Sequence, residues 1–175
     1  MILIAIGLLF VLRNFPIIPN EQAKDISVLS KIGEVPVISY NNEEDGNLHF
    51  DTIIGQGKPI VLNFWAALCP SCRAEMLEFQ EIHENFGDQI VLFAVDIGPF
   101  TGLGTVVQGR DLVEDLKVTY PVGTTEDTAI INLLQISAVP TTLFATSKGI
   151  VRKKFTGFLS AEEINNIVEE LLEET

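Results

Sequence analysis

Cysteine is scarce in this chain: two in 175 residues, beside two histidines and one tryptophan. Two cysteines cannot staple a small scaffold, so a disulfide-framework protein is excluded. Basic residues are few as well, 11 Lys and Arg against 24 Asp and Glu, for a net charge of −13. A surface this acidic is repelled by phosphate backbones, which excludes nucleic acid as a partner. Gly and Pro, at 13 and 8, are too few for a fibrous or low-complexity chain. Apolar residues, by contrast, make up 47% of the chain, and 11 of them are Phe. That content fits one folded domain with a full core and excludes disorder as the main state.

No uninterrupted apolar run reaches membrane-spanning length. Residues 1–12 are apolar throughout, Arg13 and Asn14 interrupt them, and 15–19 are apolar again. Twelve helical residues cover ~18 Å of a ~30 Å hydrocarbon core. Counting on to Ile18 nearly closes the gap if Arg13 snorkels to the interface. Three readings stay open: an uncleaved membrane anchor, a signal-peptide core, or an ordinary buried helix. The second lacks a basic stretch before it and an A-x-A-like site after it. The anchor is the leading expectation for residues 1–19, with 20–31 as a polar linker and 32–175 as the domain. Arg13, Lys24 and Lys31 lie on the domain side, which weighs against export under the positive-inside rule.

Periodicity predicts an α/β domain. Residues 33–50 read as a hairpin turning at Asp45-Gly46. Residues 60–66 (IVLNFWA) and 90–96 (IVLFAVD) are almost unbroken apolar runs, as strands buried on both faces should be. Between them, residues 69–86 read as a helix with Met76, Phe79, Ile82 and Phe86 on one face and Gly87 as its stop. Together these make a parallel βαβ unit. The Gly-rich stretch 98–109 is predicted to be a flexible loop. A short helix over 111–117, a small strand over 119–122 and a helix over 126–134 follow. Strands are predicted over 141–145 and 150–155, the latter wet on the face carrying Arg152 and Lys154. Ser160 and Glu163 form a capping-box pattern opening the last helix. Its apolar stripe is Ile164, Ile167, Val168, Leu171 and Leu172, and its six glutamates read as a solvated face.

The two cysteines lie three apart, in Cys69-Pro70-Ser71-Cys72, after a predicted buried strand and at the opening of a helix. A thiolate there is stabilised by free N–H groups and the helix dipole. Pro70 suits the first helical position, where no N–H is needed. Arg73 adds positive charge. Cys69 is therefore expected to be the attacking nucleophile, and Cys72, one turn in, the thiol that resolves a mixed disulfide. A static disulfide or two structural thiols are the plainer alternative. A structural zinc site wants four ligands. Only His49 and His83 could supplement the cysteines, and His83 stands 11 residues beyond Cys72. Both histidines are expected at the surface, and no metal or cofactor is expected.

The segment FWAALCPSCRAEM resembles the active-site segment of thioredoxin-fold proteins, more specifically of the membrane-anchored TlpA/ResA type, whose pattern is FWA-x-WCPPC-RxEMP-like. Val139-Pro140-Thr141 resembles the cis-proline loop of that fold, 68 residues after Cys72 and directly before a predicted strand. The likeness runs from about residue 32 to 175. It implies a thioredoxin fold: a central mixed sheet flanked by helices, here with an N-terminal hairpin extension and an insertion after the βαβ unit. It implies that Pro140 is cis and faces the cysteines, leaving the Val139 backbone to pair with an extended substrate segment. Leu68, Pro70 and Ser71 would form the rest of the substrate-facing rim. Glu75 matches the glutamate of the RxE pattern, a tuner of thiol acidity or a proton shuttle. Ordinary thioredoxins carry an aspartate six residues before the first cysteine; here Asn63 stands there, so Glu75 is the candidate acid/base group. Trp65 is expected to pack beneath the site. Leu68 departs from the pattern, which has tryptophan at that position.

The function the resemblance implies is enzymatic: a thiol–disulfide oxidoreductase acting on protein thiols and disulfides. It would be a reductase held on the extracytoplasmic side, fed by a membrane electron donor and serving cytochrome c maturation or other exported thiols. A monomer is the default. A disulfide oxidase or isomerase on the same fold is the alternative, separable by reduction potential. A peroxidase needs Thr-x-x-Cys, and position 66 is Ala. A copper-binding module is the non-enzymatic alternative, although its usual histidine ligand and wider cysteine spacing are not evident.

Overall fold

The computed structural model describes residue 29 and residues 32–41 and 48–174. The expected anchor and most of the linker lie outside the described residues, as does the Asp45-Gly46 turn. Strand β1 (Pro36–Ser39) pairs antiparallel with the two-residue β2 (Leu48–His49), and helix α1 (Phe50–Ile54) follows directly. The expected βαβ unit is β3 (Ile60–Trp65), α2 (Pro70–Phe86) and β4 (Val91–Asp96), with β3 and β4 parallel. Two helices, α3 (Gly98–Thr101) and α4 (Val106–Asp115), lead to β5 (Val122–Thr124). Helix α5 (Ala129–Leu133), strands β6 (Thr141–Ala145) and β7 (Val151–Thr156), and helix α6 (Ala161–Glu173) complete the chain. The sheet order is β2-β1-β5-β4-β3-β6-β7. Strands β3, β4 and β5 are parallel, and β1, β6 and β7 run against their neighbours. This is the mixed sheet flanked by helices that the sequence led us to expect.

The central runs are apolar at almost every residue because both sheet faces are covered. On β3, Val61 and Trp65 point into a core shared with Met76, Phe79 and Ile82 of α2 and Ile164, Val168 and Leu171 of α6. Ile60, Leu62 and Phe64 point the other way, into a core with Phe50 and Ile130. Period-two alternation therefore sorts side chains between two cores rather than between core and water. Asn63 shares the α2 face and is one of the few polar groups buried there. At α6 the capping box forms as the Ser160–Glu163 pattern predicts: Ser160 Oγ accepts the Glu163 N–H and Glu163 Oε2 accepts the Ser160 N–H.

Four expectations are corrected. The 98–109 stretch is not a loop. It contains α3 and the first turn of α4, because Thr105 and Gln108 form a reciprocal capping box that starts α4 five residues before the expected helix. Gly109 sits inside α4 because a side chain there would run into Asp96 Oδ2 and the Tyr40 ring. The strand expected over 119–122 begins at Val122, since Pro121 has no N–H for the ladder and uses its carbonyl to accept the Ala94 N–H (3.1 Å). The helix expected from 126 starts at Ala129, because Thr125 Oγ1 and Asp127 Oδ1 accept the Asp127 and Ala129 N–H groups in a competing local turn. Finally, His49 and His83 are half-buried rather than surface groups: His49 Nδ1 lies 3.2 Å from the Glu34 carbonyl, and the His83 ring packs edge-on to Tyr120.

Candidate active site

Strand β3 ends at Trp65, and four residues later the chain turns into α2 with Cys69 as its N-cap, in extended geometry. An N-cap side chain normally offers an oxygen to the free N–H groups of the first turn. Here Cys69 Sγ takes that place and accepts the Cys72 N–H at 3.2 Å. Pro70 occupies the first helical turn, where its missing N–H costs nothing. Cys69 and Cys72 are joined in a disulfide, with Cα atoms 5.2 Å apart. The two sulfurs are not equivalent to an incoming thiolate: Cys69 keeps 7% of its surface exposed and Cys72 1%. Ser71 Oγ lies 3.4 Å from Cys69 Sγ, and the Val139 carbonyl lies 3.9 Å away. The Val139-Pro140 peptide is cis. The structure thus brings together Cys69, Cys72, Ser71 and Val139, with Pro70 and Leu68 on the exposed side and Pro140 next to Val139.

Glu75 lies one turn after Cys72 on the same helix face, with only 1% of its surface exposed. A buried carboxylate must find donors, and it finds two. Asn63 Nδ2 donates to Oε2 at 2.8 Å, and the Leu159 N–H donates to Oε1 at 2.9 Å. Burial pushes the Glu75 carboxyl up to about 7, with the Leu159 and Asn63 donors pulling it partly back. Asn63 also donates to Thr142 Oγ1 at 3.0 Å. The amide standing where ordinary thioredoxins have an acid therefore holds the acid that α2 supplies. Beyond them, the Tyr120 phenol is raised by its own burial and by the negative charge of Glu75, so it stays protonated. Trp65 is fully buried in the same hydrophobic core as both cysteines, with its indole N–H unpartnered.

Reasoning from sequence missed three groups here. Leu159 reaches Glu75 through its backbone and has no sequence signal. Thr142 sits at a buried β6 position that any strand residue could fill. Asp96 is the third: fully buried at the end of β4, it accepts the Tyr40 hydroxyl (2.9 Å) and the Gly98 N–H (2.8 Å). Burial raises its carboxyl above the usual range, with those two donors opposing. A lone acid closing an apolar run was the available hint. Among the described residues no three His, Cys, Asp or Glu side chains converge as a metal site, and no helix is long and apolar enough to cross a membrane.

The model of the AhpC/TSA family matches residues 20–154, most of the chain. The chain belongs to the AhpC/TSA family. Its curated relatives include the thiol-disulfide oxidoreductase ResA of Oceanobacillus iheyensis, 26% identical over 119 residues, which are 66% of this chain and 58% of that protein. The chain thus spans less than two thirds of that relative. The sporulation thiol-disulfide oxidoreductase A of Bacillus subtilis is 27% identical over 124 residues, 68% of this chain and 72% of that protein. Among solved structures, a secreted disulfide oxidoreductase of Mycobacterium tuberculosis superposes with a TM-score of 0.66 at 17% identity, covering 81% of this chain and 98% of that one. At that identity the superposition speaks for the fold alone, which is the thioredoxin-like fold the sequence implies. The expected enzyme class, thiol–disulfide oxidoreductase, is the class its curated relatives are named for. Within this family, position 66 bears on the peroxidase alternative: Ala66 is fully buried and offers no hydroxyl three residues before Cys69.

Proposed function

We propose that this protein exchanges disulfides with protein partners through Cys69 and Cys72, working as a reductase. The observation that carries the reading is the asymmetry of the disulfide: Cys69 is reachable at a helix N-terminus, while Cys72 is buried beside Glu75. In the reduced enzyme the Cys69 thiolate attacks a partner disulfide. A Cys69–partner bond forms and one partner thiolate leaves. Cys72 then loses its proton and attacks Cys69 Sγ, re-forming the internal disulfide and releasing the second partner thiol. Two electrons and two protons pass to the partner per turnover. Glu75, with its carboxyl near neutrality and on the face of Cys72, is the group we assign to take the Cys72 proton. The Val139 and Pro140 backbone, with Leu68, Pro70 and Ser71, forms the surface where the partner lies.

The finer reading places the domain outside the cytoplasm as a monomer, tethered by residues 1–19 and recharged by a membrane dithiol donor. The apolar N-terminal segment supports the tether. Its substrates would be oxidised thiol pairs of exported proteins, an apocytochrome c Cys-x-x-Cys-His pair among them. The test mixes pre-reduced protein with an oxidised Cys-x-x-Cys-His peptide in equal amounts, then quenches with acid and counts thiols by mass. Transfer of most reducing equivalents to the peptide is the expected result. If the equivalents stay on the protein, and the reverse mixture of oxidised protein and reduced peptide moves electrons onto the protein, the protein is a disulfide donor and the reductase reading fails.

A further inference from the structure

A fifth of the chain is charged, yet four segments meeting at the disulfide carry no charged residue: 66–72, 97–109, 136–142 and 155–161. They are tied to the site by direct contacts. The Leu68 N–H donates to the Leu103 carbonyl at 2.8 Å, and the Gly157 N–H to the Pro140 carbonyl at 2.9 Å. Beside uncharged polar groups such as Ser71, Thr105 and Gln108, these segments show large apolar side chains to solvent: Leu68 is 55% exposed, Leu103 39% and Phe158 43%.

The part bearing Leu103 is pinned at both ends. At its start Gly98 donates to Asp96, which is itself held by Tyr40, and Arg110 lies over the Tyr40 ring at 5.1 Å. At its end Gly104, at φ +140°, lies so close to Ala67 that a side chain would meet the Ala67 Cβ at 2.9 Å. Leu103 is thereby presented beside Leu68, the residue bonded to the reacting Cys69. The exposed Leu68 and Leu103, joined by a backbone hydrogen bond, thus adjoin the reacting Cys69.

Resting on the exchange chemistry above, we propose that Leu103 and Leu68 form a specificity element that reads the residue beside the attacked cysteine. The occupant is an extended, cystine-bearing segment of the partner protein with an aliphatic or aromatic residue next to that cysteine. Such a side chain leaves water against the two leucines. A charged one would be partly desolvated there, and the four segments offer it no charged side chain to pair with.

The test uses three disulfide-linked peptides differing only in the residue beside the cystine: Leu, Lys or Glu. Rates with reduced protein are divided by the rate with hydroxyethyl disulfide, a small neutral probe. The Leu peptide should react about tenfold faster than both charged ones, the size expected for one apolar contact. Leu103→Ser should reduce that preference to about twofold or less, and Leu103→Ala to an intermediate value. Equal rates for the three peptides, or a preference untouched by Leu103→Ser, overturns the proposal. The order Lys, Leu, Glu would mean that the net charge of −13 governs selection, and also overturns it. Failure to react with hydroxyethyl disulfide and all three peptides instead sinks the exchange reading beneath it.

Discussion

Replacing Cys69 by serine should reduce insulin-disulfide reduction to the rate of dithiothreitol alone, while replacing Cys72 by serine should leave a stable covalent adduct with the substrate. The two variants separate because the sulfurs differ in access and in partner. Cys69 Sγ stands at the N-cap of α2 and accepts the Cys72 N–H, an arrangement that favours a thiolate once the disulfide opens. Without it no other described thiol can make the first attack. Without Cys72, the first attack still proceeds, but nothing displaces the partner from Cys69. Intact-mass analysis of the Cys72→Ser variant mixed with a disulfide peptide should show one peptide added per chain, removable by dithiothreitol. An adduct on Cys72 in the Cys69→Ser variant, formed at a comparable rate, would contradict the assignment of the nucleophile.

The second large effect concerns Glu75. Its carboxyl is raised by burial from 4.5 to about 7 in the folded chain. The sign follows from proton counts. Between about pH 4.5 and 7 the folded state holds a proton that the unfolded state has lost, so rising pH favours unfolding. The contribution of this group is fully present below about 4.5 and lost as pH climbs through 7. A shift from 4.5 to about 7 corresponds to about 3 kcal/mol. Glu75→Gln removes that slope. Measured by urea unfolding of the oxidised protein, the variant should gain about 3 kcal/mol relative to wild type between pH 4.5 and pH 8. The substitution is sterically mild. Asn63 can turn its amide so that its oxygen accepts from the introduced side-chain NH₂ and from the Thr142 hydroxyl. The same variant should flatten the pH profile of Cys72-dependent release of a mixed disulfide near pH 7. A stability difference that is constant with pH would show that Glu75 ionises normally in the fold.

How legible this was in the sequence depends on the range of the interactions. The βαβ unit and the cysteine pair were readable because their signals are local: two continuous apolar runs, one helical stripe, a proline at the first helical position. The last helix was readable for the same reason, through Ser160 and Glu163. The 98–109 stretch misled because glycine content outweighed Thr105 and Gln108 in the reading, while in the chain the capping box decides. Its glycines mark close approaches to Ala67 and Asp96, not a loose loop. Those neighbours are 37 and 13 residues away along the chain, which periodicity does not register. The Glu75 setting was half legible. The glutamate stood out by its place after the cysteines, but its burial depends on Leu159, 84 residues on, and on Asn63 of the neighbouring strand β3. An amide in an otherwise apolar strand was a request for a partner, and sequence alone did not name it.

The redox role of the cysteine pair is tested most directly by an equilibrium titration of the full chain, with the thiols counted by mass after alkylation. Protein is held in dithiothreitol buffers of graded ratio, then in glutathione buffers. One reversible two-electron transition is expected, in which Cys69 and Cys72 are alkylated together, with a midpoint near thioredoxin's, about −270 mV. A midpoint near about −120 mV would mark a disulfide donor and contradict the reductase assignment. A disulfide that does not open reversibly in either buffer would contradict the redox role of the pair altogether.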